Sequence, residues 1–197
     1  VPTHTPGGYE LYPLTYKKGT QIKEVCDTLM RKSKLELIIP HKCIVGKTLE
    51  TVYRRELDNL LIRALSNRFS ARGMNISVSD SWYLADKKHL VFSFSGTSRE
   101  ELLQQISELV SELHYVWHNG FTPDEMADVK SSMLHSLKIY NNTLPSSMWC
   151  EDFSDYIISG DRYIQTQHEM ERLVEKILRT EARQLLWMLK RWIDYKN

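Results

Sequence analysis

Asn119-Gly120-Phe121-Thr122-Pro123-Asp124-Glu125 is the stretch on which the fold turns. Asn119-Gly120 is a helix-ending pair able to take positive φ. Thr122 then reads as an N-cap, Pro123 as the first helical residue, and Asp124 and Glu125 as acids near the positive end of a new helix. Upstream, Leu102, Leu103, Ile106, Leu109, Val110, Leu113 and Trp117 recur at three- and four-residue spacing. Downstream, Met126, Val129, Met133, Leu137 and Tyr140 do the same. Two long amphipathic helices therefore meet at a tight corner. Thr97-Ser98-Arg99-Glu100-Glu101 opens the first with two overlapping capping boxes, Thr97 with Glu100 and Ser98 with Glu101.

Working back from the corner, His89-Leu90-Val91-Phe92-Ser93-Phe94 alternates as a strand with one buried face. Asp86-Lys87-Lys88 reads as the turn before it, joining a strand that starts at Ile76 and runs to about Tyr83. Before that pair, Leu57, Leu60, Leu61, Ala64, Leu65 and Phe69 form one apolar face of a long helix. Gly46-Lys47-Thr48 opens this helix and Arg72-Gly73 ends it. Leu35-Glu36-Leu37-Ile38-Ile39 predicts a strand continuing to Val45 with a disruption at Pro40. Thr20–Ser33 fits a helical stripe through Ile22, Val25, Leu29 and Met30, although alternation as a strand is also open. Residues 9–17 have strand-like content, confined to an edge by Pro13.

Beyond the corner, Asn141-Asn142-Thr143-Leu144-Pro145 ends the third long helix. A shorter helix is capped by Ser146 and reaches about Ile158. Two more are expected over 166–178 and 181–195, with Thr180 capping the last. Strand, helix, two strands, then helices is an α+β pattern, an antiparallel sheet with helices packed on one face. Residues 1–8, rich in Pro, Gly and Thr and without an initiator Met, read as a linker-like start. Residues 9–197 read as a single α/β domain from a longer multi-domain protein.

The composition is that of a globular chain, with 42% hydrophobic and 26% charged residues over 197 positions. Twenty-six Lys and Arg against 25 Asp and Glu leave a net charge of +1, which argues against a dedicated nucleic-acid binder. No apolar run approaches the ~20 residues needed to cross a bilayer. The three cysteines, Cys26, Cys43 and Cys150, show no metal-binding spacing, and one disulfide among them stays open.

Catalytic motifs are hard to find. His168-Glu169-Met170-Glu171-Arg172 begins like HExxH but places Arg172 where the second ligand would stand, and reads better as a solvated helix start. His114 and His118 are an i, i+4 pair that could chelate a metal only with a third ligand from elsewhere. Set against that are two polar residues at a helix C-terminus, whose charge would suit the dipole; the pair is disfavoured as a metal site. GxSxG, GxGxxG and P-loop patterns are absent. Arg31-Lys32-Ser33-Lys34 reads as a solvated turn.

The run from Arg63 to Lys138 nevertheless resembles the repeated α/β unit of the pitrilysin/insulinase-type zinc metallopeptidases, which include mitochondrial processing peptidase subunits. Carrying the likeness are Leu65-Ser66-Asn67-Arg68-Phe69, the strand pair, the Thr97–Glu101 helix start, and Asn119 to Lys130. The last is similar to the family's G-(F/I)-T-x-x-E-L-x-x-(A/V)-K. Leu178-Arg179-Thr180-Glu181-Ala182-Arg183 is similar to the opening of its last helix, and the likeness extends from Thr48 to Trp187.

In that family a catalytic domain carries an inverted HxxEH zinc motif and a following domain of the same fold lacks it. None of the seven histidines here opens an HxxEH. The resemblance therefore implies a non-catalytic domain that helps enclose a peptide substrate and pairs with the catalytic domain of the same protein. No cofactor is expected in this chain, and zinc belongs in the parent's catalytic domain. Arg68 and Arg72 stand where some members use an Arg to grip substrate, but no tyrosine follows at the family's spacing. Arg68 reads more readily as a structural residue. An assembly or interaction domain of the same fold without proteolysis is the alternative, a dimer stays open, and the family implies a periplasmic or exported bacterial protein.

Overall fold

A computed structural model of the chain describes residues 19–25, 32–44, 46–84, 87–143, 146–158 and 163–193. The elements are β1 (Ser33–Lys42), α1 (Leu49–Ala71), β2 (Ile76–Leu84), β3 (Lys87–Gly96), α2 (Arg99–Asn119), α3 (Pro123–Thr143), α4 (Ser146–Ile158), α5 (Gln167–Arg179) and α6 (Ala182–Trp192). The strands form one antiparallel sheet in the order β1-β3-β2, so the fold is α+β as the sequence predicts.

Period-two alternation explains which face is covered. Leu35, Phe94 and Ile76 sit opposite one another across the sheet, as do Leu37, Phe92 and Val78. Leu90, Phe92, Phe94 and Ile76 are buried beneath the helices. The other face carries Ser77, Ser79 and Ser81 on β2 and Glu36 and Ile38 on β1, all exposed.

The first long helix is the hub. Its predicted stripe, Leu57, Leu60, Leu61, Ala64, Leu65 and Phe69, is buried throughout. The helix touches β2, α3, α5 and α6. Tyr53 meets the Thr180 hydroxyl at 3.1 Å, and Lys176 donates to Glu50 at 2.5 Å, joining α1 to α5.

The corner forms as expected. Gly120 has φ 71° and donates its N–H to Val116 O at 2.8 Å. Thr122 Oγ1 accepts from Glu125 N, and Glu125 Oε2 accepts from Thr122 N, a closed capping box. At the start of α2, Ser98 accepts from Glu101 N while the Glu101 carboxylate accepts from the Thr97 N–H and hydroxyl. Of the two overlapping boxes, the one that forms is centred on Ser98 and Glu101.

Several local readings need correction. Pro40 does not interrupt β1: its pairing with His89 is in register, and the strand ends at Lys42. Among the described residues β1 is an edge strand, where a missing N–H is tolerated. Lys87 and Lys88 lie inside β3, and Ser33 and Lys34 inside β1 with Lys34 paired to Glu36 at 2.6 Å. Thr180 is the C-cap of α5, its hydroxyl donating to Lys176 O at 3.0 Å; α6 is capped by Glu181 and ends at Trp192. The apolar stripe of α2 divides, because Leu109, Leu113 and Val116 are buried while Leu103 and Val110 are exposed.

Residues 20–25 adopt neither helix nor strand. The remainder of that predicted helix up to residue 31, the strand read over 9–17 and the linker-like 1–8 lie outside the described residues.

Candidate functional site

Three cavity walls converge where β1 ends, α1 begins and α6 closes the fold. They enclose a groove of about 810 Å³ whose floor includes His41, Tyr53 and Trp192. Strand register places His41 and Lys88 opposite each other, with Asp80 one step away on β2. His41 Nε2 lies 2.8 Å from Asp80 Oδ1, and Lys88 Nζ lies 2.8 Å from Asp80 Oδ2 and 3.5 Å from Asp58 Oδ2. All four side chains are largely withdrawn from solvent.

Charges removed from water persist only when paired, and this cluster shows which pairing prevails. Burial opposes the ionised form of Asp80, but hydrogen bonds from His41 and Lys88 outweigh it and hold its pKa below the usual carboxylate value. Burial also opposes the Lys88 ammonium, and its hydrogen bond to Asp80 and the charges of Asp80 and Asp58 outweigh that, raising its pKa. Asp58, farther from the shared cation, is pushed up by burial to about 6.

A histidine oriented by an aspartate is half of a nucleophile-activating relay. Here both ring nitrogens face acceptors, Asp80 Oδ1 and the Lys42 carbonyl at 3.3 Å, and the ring stacks on Trp192 at 4.0 Å. Its role in this geometry is to hold the groove floor. Cys43 is buried nearby with Sγ 3.7 Å from Ile44 O. Cys43 and Cys150 carry thiols; Cys26 lies outside the described residues.

Arg68 occupies a different place. Its side chain is 4% exposed, with Nε 2.5 Å from Glu112 Oε1, a second hydrogen bond from Nη1 to Glu125 Oε1, and the guanidinium 4.8 Å from the Tyr115 ring. Arg72 is largely exposed, 3.9 Å from Glu112. His114 and His118 are exposed at the end of α2, rings 4.2 Å apart, with His118 Nδ1 donating to His114 O. Glu112, their neighbour in sequence, faces Arg68 instead. His168 is exposed in the first turn of α5.

Among the described residues no three His, Cys, Asp or Glu side chains gather to hold a metal ion. Among these residues no helix is long and apolar enough to cross a membrane. The groove and its charge cluster escaped sequence reasoning, since His41, Asp58, Asp80 and Lys88 come from four elements and share no local motif. The only available hint was the polar break in the apolar alternation of β1, β2 and β3 at His41, Asp80 and Lys88.

No protein-family model matches the chain, and no curated protein matches it in sequence. Solved structures do match in three dimensions. The first half of the periplasmic protease PqqL from Escherichia coli is similar over 83% of this chain and 37% of its own, with a TM-score of 0.71 and 14% identity. A predicted insulinase family protease from Yersinia pestis is similar over 84% of this chain and 38% of its own, with a TM-score of 0.66 and 13% identity. An inactive peptidase domain of a candidate zinc protease from Bordetella parapertussis is similar over 87% of this chain and 91% of its own, at 14% identity and a TM-score of 0.50. The chain spans little more than a third of the length of those first two structures, the first of which is itself half of its protein. From its sheet order, its capped corner and these likenesses, the chain has the fold of the insulinase-type, pitrilysin-like peptidases.

Proposed function

We propose that the chain is a catalytically silent domain of a zinc peptidase, which helps enclose a peptide substrate and pairs with the catalytic domain of the same protein. A single joint observation carries this reading: an insulinase-type fold in a chain none of whose seven histidines opens an HxxEH. A fold of this kind without HxxEH lacks the zinc ligands through which the family's catalytic domain would activate water, which supports a role in packing and enclosure. The similarity to an inactive peptidase domain over nearly the whole of that domain supports it. The periplasmic Escherichia coli neighbour supports an exported bacterial protein.

Metal analysis of the purified chain by mass spectrometry, after dialysis against a weak chelator, tests the silent assignment. Zinc well below one equivalent per chain is expected, together with no hydrolysis of a quenched fluorescent peptide library. One tightly held zinc per chain would overturn it. The coding sequence upstream of Val1 should carry HxxEH within one to two domain lengths, each roughly 50–250 residues.

A second reading, an assembly domain without proteolysis, is favoured by one feature. Trp149, Phe153 and Ile157 recur at one-turn spacing on α4 and are all exposed, as on a helix face awaiting a partner. An upstream sequence lacking HxxEH would select this reading.

A further inference from the structure

A groove of about 810 Å³ lies between β1, α1 and α6. We propose that it binds an acidic peptide segment carrying an aromatic or branched apolar residue. The inference stands whether or not the parent protein is a peptidase.

Helical spacing builds one wall. On α6, Arg183, Trp187 and Arg191 recur at intervals of four, so they share a face. Trp187 is 61% exposed, and the Arg191 guanidinium lies 5.3 Å from its ring centre. An indole held against an arginine at the lip of a groove is the composition that concentrates binding energy at interfaces. Below it, Trp192 stacked on His41 presents a flat aromatic floor. A volume of about 810 Å³ accommodates a few side chains of an extended segment.

Charge selects the occupant. Among the described residues, Lys42, Arg54, Arg55, Arg183 and Arg191 line the groove with two carboxylates, Glu50 and Asp58, and Arg183 is itself paired with Glu181 at 2.5 Å. Both carboxylates are already committed: Glu50 to Lys176 and Arg54, and Asp58 to Lys88 beneath the floor. Arg54 is half-exposed and 3.5 Å from Glu50, a loose contact that leaves its guanidinium able to turn toward a ligand carboxylate. In a chain of net charge +1, the cationic excess is a property of this groove and not of the whole surface. Arginine forks match carboxylates in a bidentate manner, so acidic side chains fit the rim while an apolar side chain fits the aromatic floor. Nucleic acid fits less well, because a net charge of +1 leaves little basic excess outside the groove to follow a continuous phosphate chain.

Fluorescence anisotropy on the 197-residue chain tests this with a labelled peptide whose acidic residues flank a central Phe-Leu pair. Saturable binding that weakens as salt rises is expected. Arg54→Glu, Arg191→Glu and Trp187→Ala should each weaken it about tenfold, with circular dichroism and urea midpoint unchanged at these exposed positions. Lys34→Glu, at the far end of β1, should leave affinity within about twofold. The proposal is overturned if the acidic peptide shows no saturable binding, or if its lysine counterpart binds as tightly. It is equally overturned if an oligothymidylate displaces the peptide, or if the folded groove variants bind as the parent does.

Discussion

Arg68 reaches from α1 to Glu112 on α2 and Glu125 on α3, so one buried guanidinium joins three helices. Both carboxylates are themselves mostly shielded, and deleting the cation would leave them facing each other in a low-dielectric space. Removing one member of a buried charge network costs about 3 kcal/mol or more. Arg68→Ala is accordingly expected to lower the unfolding free energy by roughly 3 kcal/mol in urea melts. Arg68→Lys should recover only part, because an ammonium cannot reproduce the planar fork. Asp58 supplies a prediction in pH. Its carboxyl is raised from 3.8 to about 6 by burial, so the folded state holds that proton more tightly than the unfolded chain does. The contribution of Asp58 to stability therefore falls as pH rises from about 4 to about 6 and levels off above. A shift of this size bounds the effect at about 3 kcal/mol. Asp58→Asn should remove that slope, so the stability of the native chain relative to the variant drops between roughly pH 4 and pH 7. Glu56, also raised by burial, is common to both proteins and cancels in the difference.

At the scale of the element, the corner between α2 and α3 depends on backbone that side chains oppose. Gly120 has φ 71° and ψ −160°, a combination essentially restricted to glycine. A β-carbon there would meet Leu186 Cδ2 at an ordinary 3.6 Å, so the penalty is conformational and not steric. Gly120→Ala should cost about 1–3 kcal/mol, measured by thermal or urea unfolding. Gly120→Asn should rescue nothing, since asparagine tolerates the left-handed helical region and not this one. A substantially smaller loss for Asn than for Ala would contradict the backbone geometry. The same corner was legible in the sequence because caps are local: Asn119-Gly120, Thr122, Pro123 and Glu125 act within one turn. The last helix was less legible. Thr180 has the chemistry of a cap, but the chain uses its hydroxyl to close α5 against Tyr53 of α1, and that choice is made across 127 positions.

The zinc stoichiometry expected to fall below one belongs to the whole molecule, because a metal site needs donors assembled from several elements. Here Glu112 and Glu125 are committed to Arg68, and Asp80 and Asp58 to Lys88. By itself the sequence determined the α+β class, the long helices, the strand pair and the capped corner. These rest on periodicity and capping, interactions that span a few residues. It also determined the lack of HxxEH. Only the tertiary structure decided that β3 lies between β1 and β2, that Leu103 and Val110 face solvent, and that His41, Asp58, Asp80 and Lys88 share one buried cluster. The physical reason is common to all three. Each depends on which surfaces meet after elements distant in sequence pack together, and an apolar or charged residue does not encode its eventual neighbour.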